Sequence, residues 1–101
     1  MDKINQLLND AKEYQKRGEI ENAIKTYKKI LELDEKNTEI YSYLGDLYYI
    51  KGDINKTVEC YEKVIEKNPH YSLIQYRLAI AYFRATKFCK AISLFLPPAI
   101  A

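Results

Sequence analysis

The sequence is poor in residues that break helices, cross-link chains or bind metals. Its 101 residues include three glycines, three prolines, two cysteines, one histidine and no tryptophan. So few glycines and prolines leave little room for loops. Cys60 and Cys89 have no metal-type spacing, and His70 has no second histidine to join it. We interpret the cysteines as reduced thiols of a cytoplasmic protein.

Membrane, secretory and catalytic signatures are missing as well. No apolar run approaches the roughly 18–20 residues that a membrane span needs. The polar N-terminus, MDKINQLLND, is unlike a secretory signal. There is no glycine-rich phosphate loop and no Ser–His or His–Cys arrangement. The sequence therefore predicts no enzyme, no cofactor, no membrane partner and a cytoplasmic location.

The residues that are present are typical of one soluble, folded domain. Hydrophobic residues make up 48% of the chain and charged residues 30%, as expected of a globular protein. A chain of this length forms a single domain, which we predict to span 1–101. The net charge of +2 is too small to indicate a nucleic-acid partner, so none is predicted.

The chain repeats itself with a period of 34 residues. A shift by that distance superimposes residues of like size and polarity: Tyr14, Tyr48 and Tyr82; Ala11, Gly45 and Ala79; Ile24, Val58 and Ile92; Tyr27, Tyr61 and Phe95. Within each unit the apolar residues step by three and four, which is typical of helices. A repeat of this length indicates a stack of similar units.

Each unit is predicted to be a pair of antiparallel helices. Gly18 and Gly52 follow periodic runs, where glycine ends a helix because it adopts the left-handed conformation at little cost. Asp53 can then cap the next helix. The units are about 4–37, 38–71 and 72–101, the last one truncated. Six helices are expected, at about 4–17, 20–33, 38–51, 54–67, 72–85 and 88–96.

Gly45 stands inside a predicted helix, where glycine costs about 1 kcal/mol relative to alanine. Its counterparts in the other units, Ala11 and Ala79, are also small. We expect the second helix of each pair to cross here, because a larger side chain would push the two axes apart. Tyr27 and Tyr61, from the second helices, would pack beside this contact.

These residues resemble the tetratricopeptide repeat (TPR) family. The second unit matches best, at Tyr41, Leu44, Gly45, Tyr48, Gly52, Tyr61 and Pro69. The third departs at Thr86, where the turn glycine belongs. The resemblance implies an all-α fold, a right-handed α-solenoid of three helix-turn-helix repeats whose first helices line a concave groove. It also implies a non-enzymatic scaffold or adaptor that binds a peptide or helix of another protein.

The predicted binding groove consists of inner-face residues that remain once the packing positions are removed. They are Leu8, Asn9, Lys12, Tyr43, Asp46, Tyr49, Tyr76, Arg77, Ile80, Phe83 and Arg84. Gln15, Ile50 and Leu73 lie on the same faces. The groove changes from polar at its N-terminal end to aromatic and aliphatic at its C-terminal end, where such residues and arginine are typical of binding hot spots.

One TPR subfamily binds the C-terminal carboxylate of heat-shock chaperones through five polar residues on the inner faces. The five corresponding positions here hold Leu8, Lys12, Tyr43, Leu73 and Arg77. Arg77 alone conforms to the subfamily pattern. We therefore predict that this groove lacks a chaperone-type carboxylate clamp, and the sequence does not identify the protein or peptide that it binds.

The C-terminal end, LFLPPAIA, is apolar, whereas repeat stacks normally close with a polar cap. Two interpretations stay open. The chain is a fragment of a longer TPR protein, or it is an architectural repeat that forms a homo-oligomer through Ile92, Leu94, Phe95 and Leu96. A further alternative is an RNA-binding helical repeat, which needs a basic groove. Glu39 and Asp46 argue against it, because they offset the basic residues of this groove.

Overall fold

The structure, a computed structural model, describes residues 2–85. All regular elements in that range are helices: α1 (Asp2–Lys16), α2 (Ile20–Leu33), α3 (Thr38–Lys51), α4 (Ile54–Lys67) and α5 (Ser72–Arg84). The bounds of α2, α3 and α4 are those predicted, while α1 begins two residues earlier and α1 and α5 each end one residue earlier. The all-α fold class is confirmed. The sixth predicted helix, 88–96, and Thr86 lie outside the described residues.

Each helix packs against the next along the chain. α1 pairs with α2 and α3 with α4, while α2 contacts α3 and α4 contacts α5 across the junctions between units. The core is accordingly distributed along the stack in two clusters of buried side chains. The first cluster contains buried residues from the four helices α1, α2, α3 and α4, and the second contains buried residues from α4 and α5. Successive first helices, α3 and α5, thereby come to lie on the same side of α4.

The turns inside the first two pairs are built on glycine. Gly18 and Gly52 have φ angles of +78° and +94°, in the left-handed region that glycine tolerates best. In both turns the amide that follows the glycine donates to a carbonyl of the preceding helix at 2.9 Å, which closes the helix end. The Asp53 side chain accepts from the Lys56 amide at 3.3 Å, so the predicted helix cap is confirmed.

Gly45, on α3, packs closely against Tyr61 of α4. A Cβ built there would lie 2.4 Å from Cε1 and 2.7 Å from Cδ1 of Tyr61, well inside van der Waals contact. Ala11, its counterpart in the first pair, is fully buried, and Ala79 is nearly so. The predicted close contact with the second helix is thus confirmed at Gly45, while at Ala79 it stays a prediction because the second helix of that pair lies outside the described residues.

Candidate protein-binding groove

A groove of about 660 Å³ runs between α3 and α5, with α4 behind it. We call it the central groove, and it is lined by Gln15, Asp46, Tyr49, Ile50, Tyr61, Leu73, Tyr76, Arg77 and Ile80. Apolar and aromatic side chains form most of its wall. Ile50 is 66% exposed, Tyr76 56% and Leu73 48%. Such exposure is unusual for large apolar side chains that lie together on a soluble protein.

The polar part of the groove is a network of three side chains from three helices. Nη1 of Arg77, on α5, donates to both carboxylate oxygens of Asp46, on α3, at 2.9 and 3.0 Å. The hydroxyl of Tyr61, on α4, also donates to Oδ1 of Asp46. Asp46 therefore connects the helix pair of the second unit to the first helix of the third.

Burial, followed by the hydrogen bond to Asp46, raises the pKa of Tyr61 well above its usual range. Ionisation would place a phenolate next to a carboxylate in a partly desolvated site, which both effects oppose. Tyr61 therefore remains a neutral donor at physiological pH. Its hydroxyl fixes the position of the Asp46 carboxylate independently of Arg77.

Tyr43, another predicted groove residue, lies in a different depression. We call it the N-terminal pocket, a space of about 340 Å³ lined by Thr38, Glu39, Ser42, Tyr43, Val64, Asn68 and Tyr71. The Tyr43 ring stacks on Tyr27 with centroids 5.3 Å apart, and its hydroxyl donates to Oε1 of Glu39 at 2.7 Å. That hydrogen bond, together with burial, raises the pKa of Tyr43 to about 12. Lys12 Nζ lies 5.6 Å from the ring centroid.

The remaining predicted groove residues do not line the central groove. Leu8 is half-buried against the first core cluster, and Asn9 is exposed on α1. The guanidinium of Arg84 lies 5.0 Å from the ring centroid of Tyr49, and Phe83 is 61% exposed. The structure therefore brings five of the eleven predicted residues together in the central groove: Asp46, Tyr49, Tyr76, Arg77 and Ile80.

Tyr61 lines the central groove, whereas the sequence predicts it as a packing residue only. Its ring is 2% exposed and packs against Gly45, as predicted, but its hydroxyl reaches the groove. A signal was available. A buried tyrosine usually finds a partner for its hydroxyl, and the residue after Gly45 is an aspartate.

Within residues 2–85, no group of three or more His, Cys, Asp or Glu side chains could hold a metal ion. Burial raises the pKa of the Cys60 thiol to about 11, so this thiol is protonated and poorly nucleophilic at neutral pH. Over the same stretch of chain, no helix is long and apolar enough to cross a membrane.

The sequence pattern and the helix pairs correspond to a known repeat family. A family model described as "TPR repeat" matches residues 11–52 and 45–85. The chain belongs to the TPR repeat family. Two curated relatives carry the same designation. TPR repeat-containing protein MJ1428 of Methanocaldococcus jannaschii is 34% identical over 73 residues, or 65% of this chain. Mouse tetratricopeptide repeat protein 14 is 39% identical over 57 residues, or 56% of this chain.

Solved TPR structures share the fold. The crystal structure of yeast Tom70 superimposes on 92% of this chain with a TM-score of 0.86 and 31% sequence identity. These similar proteins are all much longer. The match spans 13% of MJ1428, 7% of the mouse protein and 19% of the Tom70 chain.

Proposed function

We propose that this TPR chain is a protein-interaction module that holds an apolar segment of another protein in the central groove. It performs no chemistry of its own. The observation that carries the proposal is the exposure of Ile50, Leu73 and Tyr76 around one depression between α3 and α5. Apolar patches of this kind on soluble proteins are typical of interaction sites.

The physical basis is burial of these side chains by a partner. Apolar surface contributes roughly 25 cal/mol per Å² when it is removed from water. Aromatic and arginine side chains in concave sites are typical hot spots, and the central groove contains Tyr49, Tyr76 and Arg77. A segment with one or two large apolar side chains therefore matches this surface.

The groove also supports the proposal that no chaperone-type carboxylate clamp is present. Leu73, at one clamp position, contributes apolar surface to the wall. Lys12, at another, lies over the ring of Tyr43 beside the N-terminal pocket. Arg77, the one residue that conforms to the clamp pattern, is already bonded to Asp46 within the protein.

The test is a selection of displayed random twelve-residue peptides on the purified chain, followed by affinity measurement with synthetic peptides. Ile50→Ser and Tyr76→Ala should each weaken binding about tenfold, which corresponds to about 1.4 kcal/mol. Leu33→Ser is the matched control, because Leu33 is an exposed apolar residue (51%) outside the groove lining. Peptides that bind all variants equally, or no selected peptide, would contradict the proposal.

The other hypotheses have separate tests. Self-association through Ile92, Leu94, Phe95 and Leu96 concerns residues outside the described range, and it stays a prediction. A monomer mass by light scattering that does not change with concentration would rule it out. Affinity for single-stranded RNA that survives moderate salt would favour an RNA-binding repeat instead.

A further inference from the structure

We propose that Asp46 makes the central groove reject carboxylates beside Arg77, so that the bound segment is apolar and carries no acidic residue at that place. The inference deepens the proposed function and rests on it. An arginine in a binding groove would ordinarily attract carboxylates, because its planar guanidinium pairs with them. Here the same arginine is already paired within the protein.

The pairing is firm on both sides. Nη1 of Arg77 bonds both oxygens of Asp46 at 2.9 and 3.0 Å, and the two side chains are 39% and 33% exposed. Tyr61, on α4, donates a hydrogen bond to Oδ1 of the same carboxylate. The ring of Tyr61 is buried and packs against Gly45, which restricts the movement of its hydroxyl. Asp46 therefore stays in place when a ligand approaches Arg77.

The charges of Asp46 and Arg77 favour a neutral side chain over a carboxylate at this place. For a ligand carboxylate placed about 4 Å from the guanidinium and about 6 Å from Asp46, the repulsion cancels about two-thirds of the attraction, since Coulomb energy varies as inverse distance. The ligand would also lose hydration as it enters a wall formed by Tyr49, Leu73 and Ile80. The remaining attraction does not offset that loss, so a neutral side chain is favoured.

No other charged group among residues 2–85 lines the groove. Its charged lining residues are Asp46 and Arg77, and their charges cancel. Arg84 lies over the ring of Tyr49 but is not part of the lining, so an acidic residue can be accommodated at that end of a bound segment. The rejection is therefore local to Arg77.

The ion pair between Asp46 and Arg77 joins the second repeat to the third. The counterparts of Asp46 are Lys12 and Ile80, and those of Arg77 are Asn9 and Tyr43. No other pair of repeats in this chain can place an acid and a base opposite each other at these two positions. Asp46 is therefore a specificity-determining residue of this particular groove.

The experiment uses a peptide selected on the wild-type chain and synthesised with Gln or Glu at each position that flanks its apolar anchor. Binding is measured for wild type, Asp46→Asn and Arg77→Gln, with circular dichroism melts to verify folding. Wild type should prefer Gln by about three- to tenfold at the position nearest Arg77, and Asp46→Asn should reverse that preference. Arg77→Gln should increase the preference for Gln, because Asp46 is then uncompensated.

A second measurement needs no variant. For a Gln peptide that has no other charged group, wild-type affinity should change less than about twofold between low and high salt, since salt screens interactions between charges. A wild-type preference for Glu beside Arg77, no effect of Asp46→Asn, or strong salt dependence would overturn the inference and leave the proposed function standing. Failure to obtain any peptide that depends on Ile50 and Tyr76 would overturn both.

Discussion

The first two helix pairs, α1–α2 and α3–α4, have the same architecture. They differ in the small residue at which the first helix packs against the second. In the α1–α2 pair the contact position is Ala11, whose methyl group is accommodated and fully buried. In the α3–α4 pair it is Gly45, where a methyl group would lie 2.4 Å from the ring of Tyr61. The tyrosines of the two second helices must therefore be placed differently.

The two tyrosines also have different polar partners. Tyr27 donates its hydroxyl to Gln15, near the end of α1, and its ring stacks on Tyr43. Tyr61 donates instead to Asp46, the residue that follows its small contact residue. In the first pair the counterpart of Asp46 is Lys12, which cannot accept a hydrogen bond. The tighter contact at Gly45 thus occurs in the pair whose tyrosine bonds the residue directly after the small one.

The largest effect is expected from introducing a methyl group at the tighter contact. Gly45→Ala should lower the free energy of unfolding by about 1–3 kcal/mol, because overpacking outweighs the gain in helix propensity. Ala11→Gly should lower it by about 1 kcal/mol through propensity. Urea denaturation of both variants gives these values.

A double-mutant cycle locates the origin of the Gly45 effect. In a Tyr61→Leu background the flat ring is absent, so Gly45→Ala should cost less than about 0.5 kcal/mol. An equal cost in both backgrounds would show that the clash with Tyr61 is not the cause.

The next effect concerns the turns, where we expect the two pairs to behave alike. Gly18 and Gly52 both have positive φ, and a Cβ at either would meet no atom within 4 Å. Gly18→Ala and Gly52→Ala should each destabilise the fold by about 1–2 kcal/mol through backbone strain alone. Thermal melts of both variants test this. A difference larger than about 1 kcal/mol would mean that the pairs differ in their turns as well as in their packing.

A smaller effect is expected when the hydroxyls are removed. Tyr61→Phe should cost about 1 kcal/mol, because its acceptor is a carboxylate, and Tyr27→Phe about 0.5 kcal/mol, because its acceptor is a neutral amide. Both values allow for the partial exposure of the acceptors. Urea denaturation at neutral pH is the measurement, and the reverse order would contradict the assigned hydrogen bonds.

The last effect is absent at neutral pH and appears as a dependence of stability on alkaline pH. Burial raises the pKa of Tyr27 to about 12, whereas a tyrosine in the unfolded chain has a pKa of about 10. The unfolded state therefore loses its proton first, so the stabilisation is complete below about pH 10 and is lost as pH rises towards 12. Tyr27→Phe should make this decline less steep without abolishing it, because the pKa values of Tyr43 and Tyr61 are raised as well. The measurement is the free energy of unfolding of each protein at alkaline pH, compared with its own value at pH 7.

The helices were predictable because their signals are local. The bounds of α2, α3 and α4 follow from apolar spacing, from Gly18 and Gly52, and from the Asp53 cap. The position of Gly45 against a second helix also followed, because a glycine inside a helical pattern requires a packing reason.

The groove was predictable only in part. Inner-face residues could be identified from the repeat, but the separation of Tyr43 into the N-terminal pocket and the position of Leu8 against the core could not. Both depend on how far each side chain reaches across neighbouring helices. Tyr61 could not be assigned to the groove for the same reason. Its ring is buried in the core, while its hydroxyl bonds Asp46 in the groove.

The sequence by itself determined the repeat, its period and the pairing of helices, because each unit carries the same local pattern of apolar residues and turn signals. The tertiary structure alone decided that Arg77 pairs with Asp46, a residue 31 positions away. No periodic pattern encodes that contact. It exists because α4 packs against both α3 and α5, and the Asp46 carboxylate bonds Tyr61 and Arg77 together.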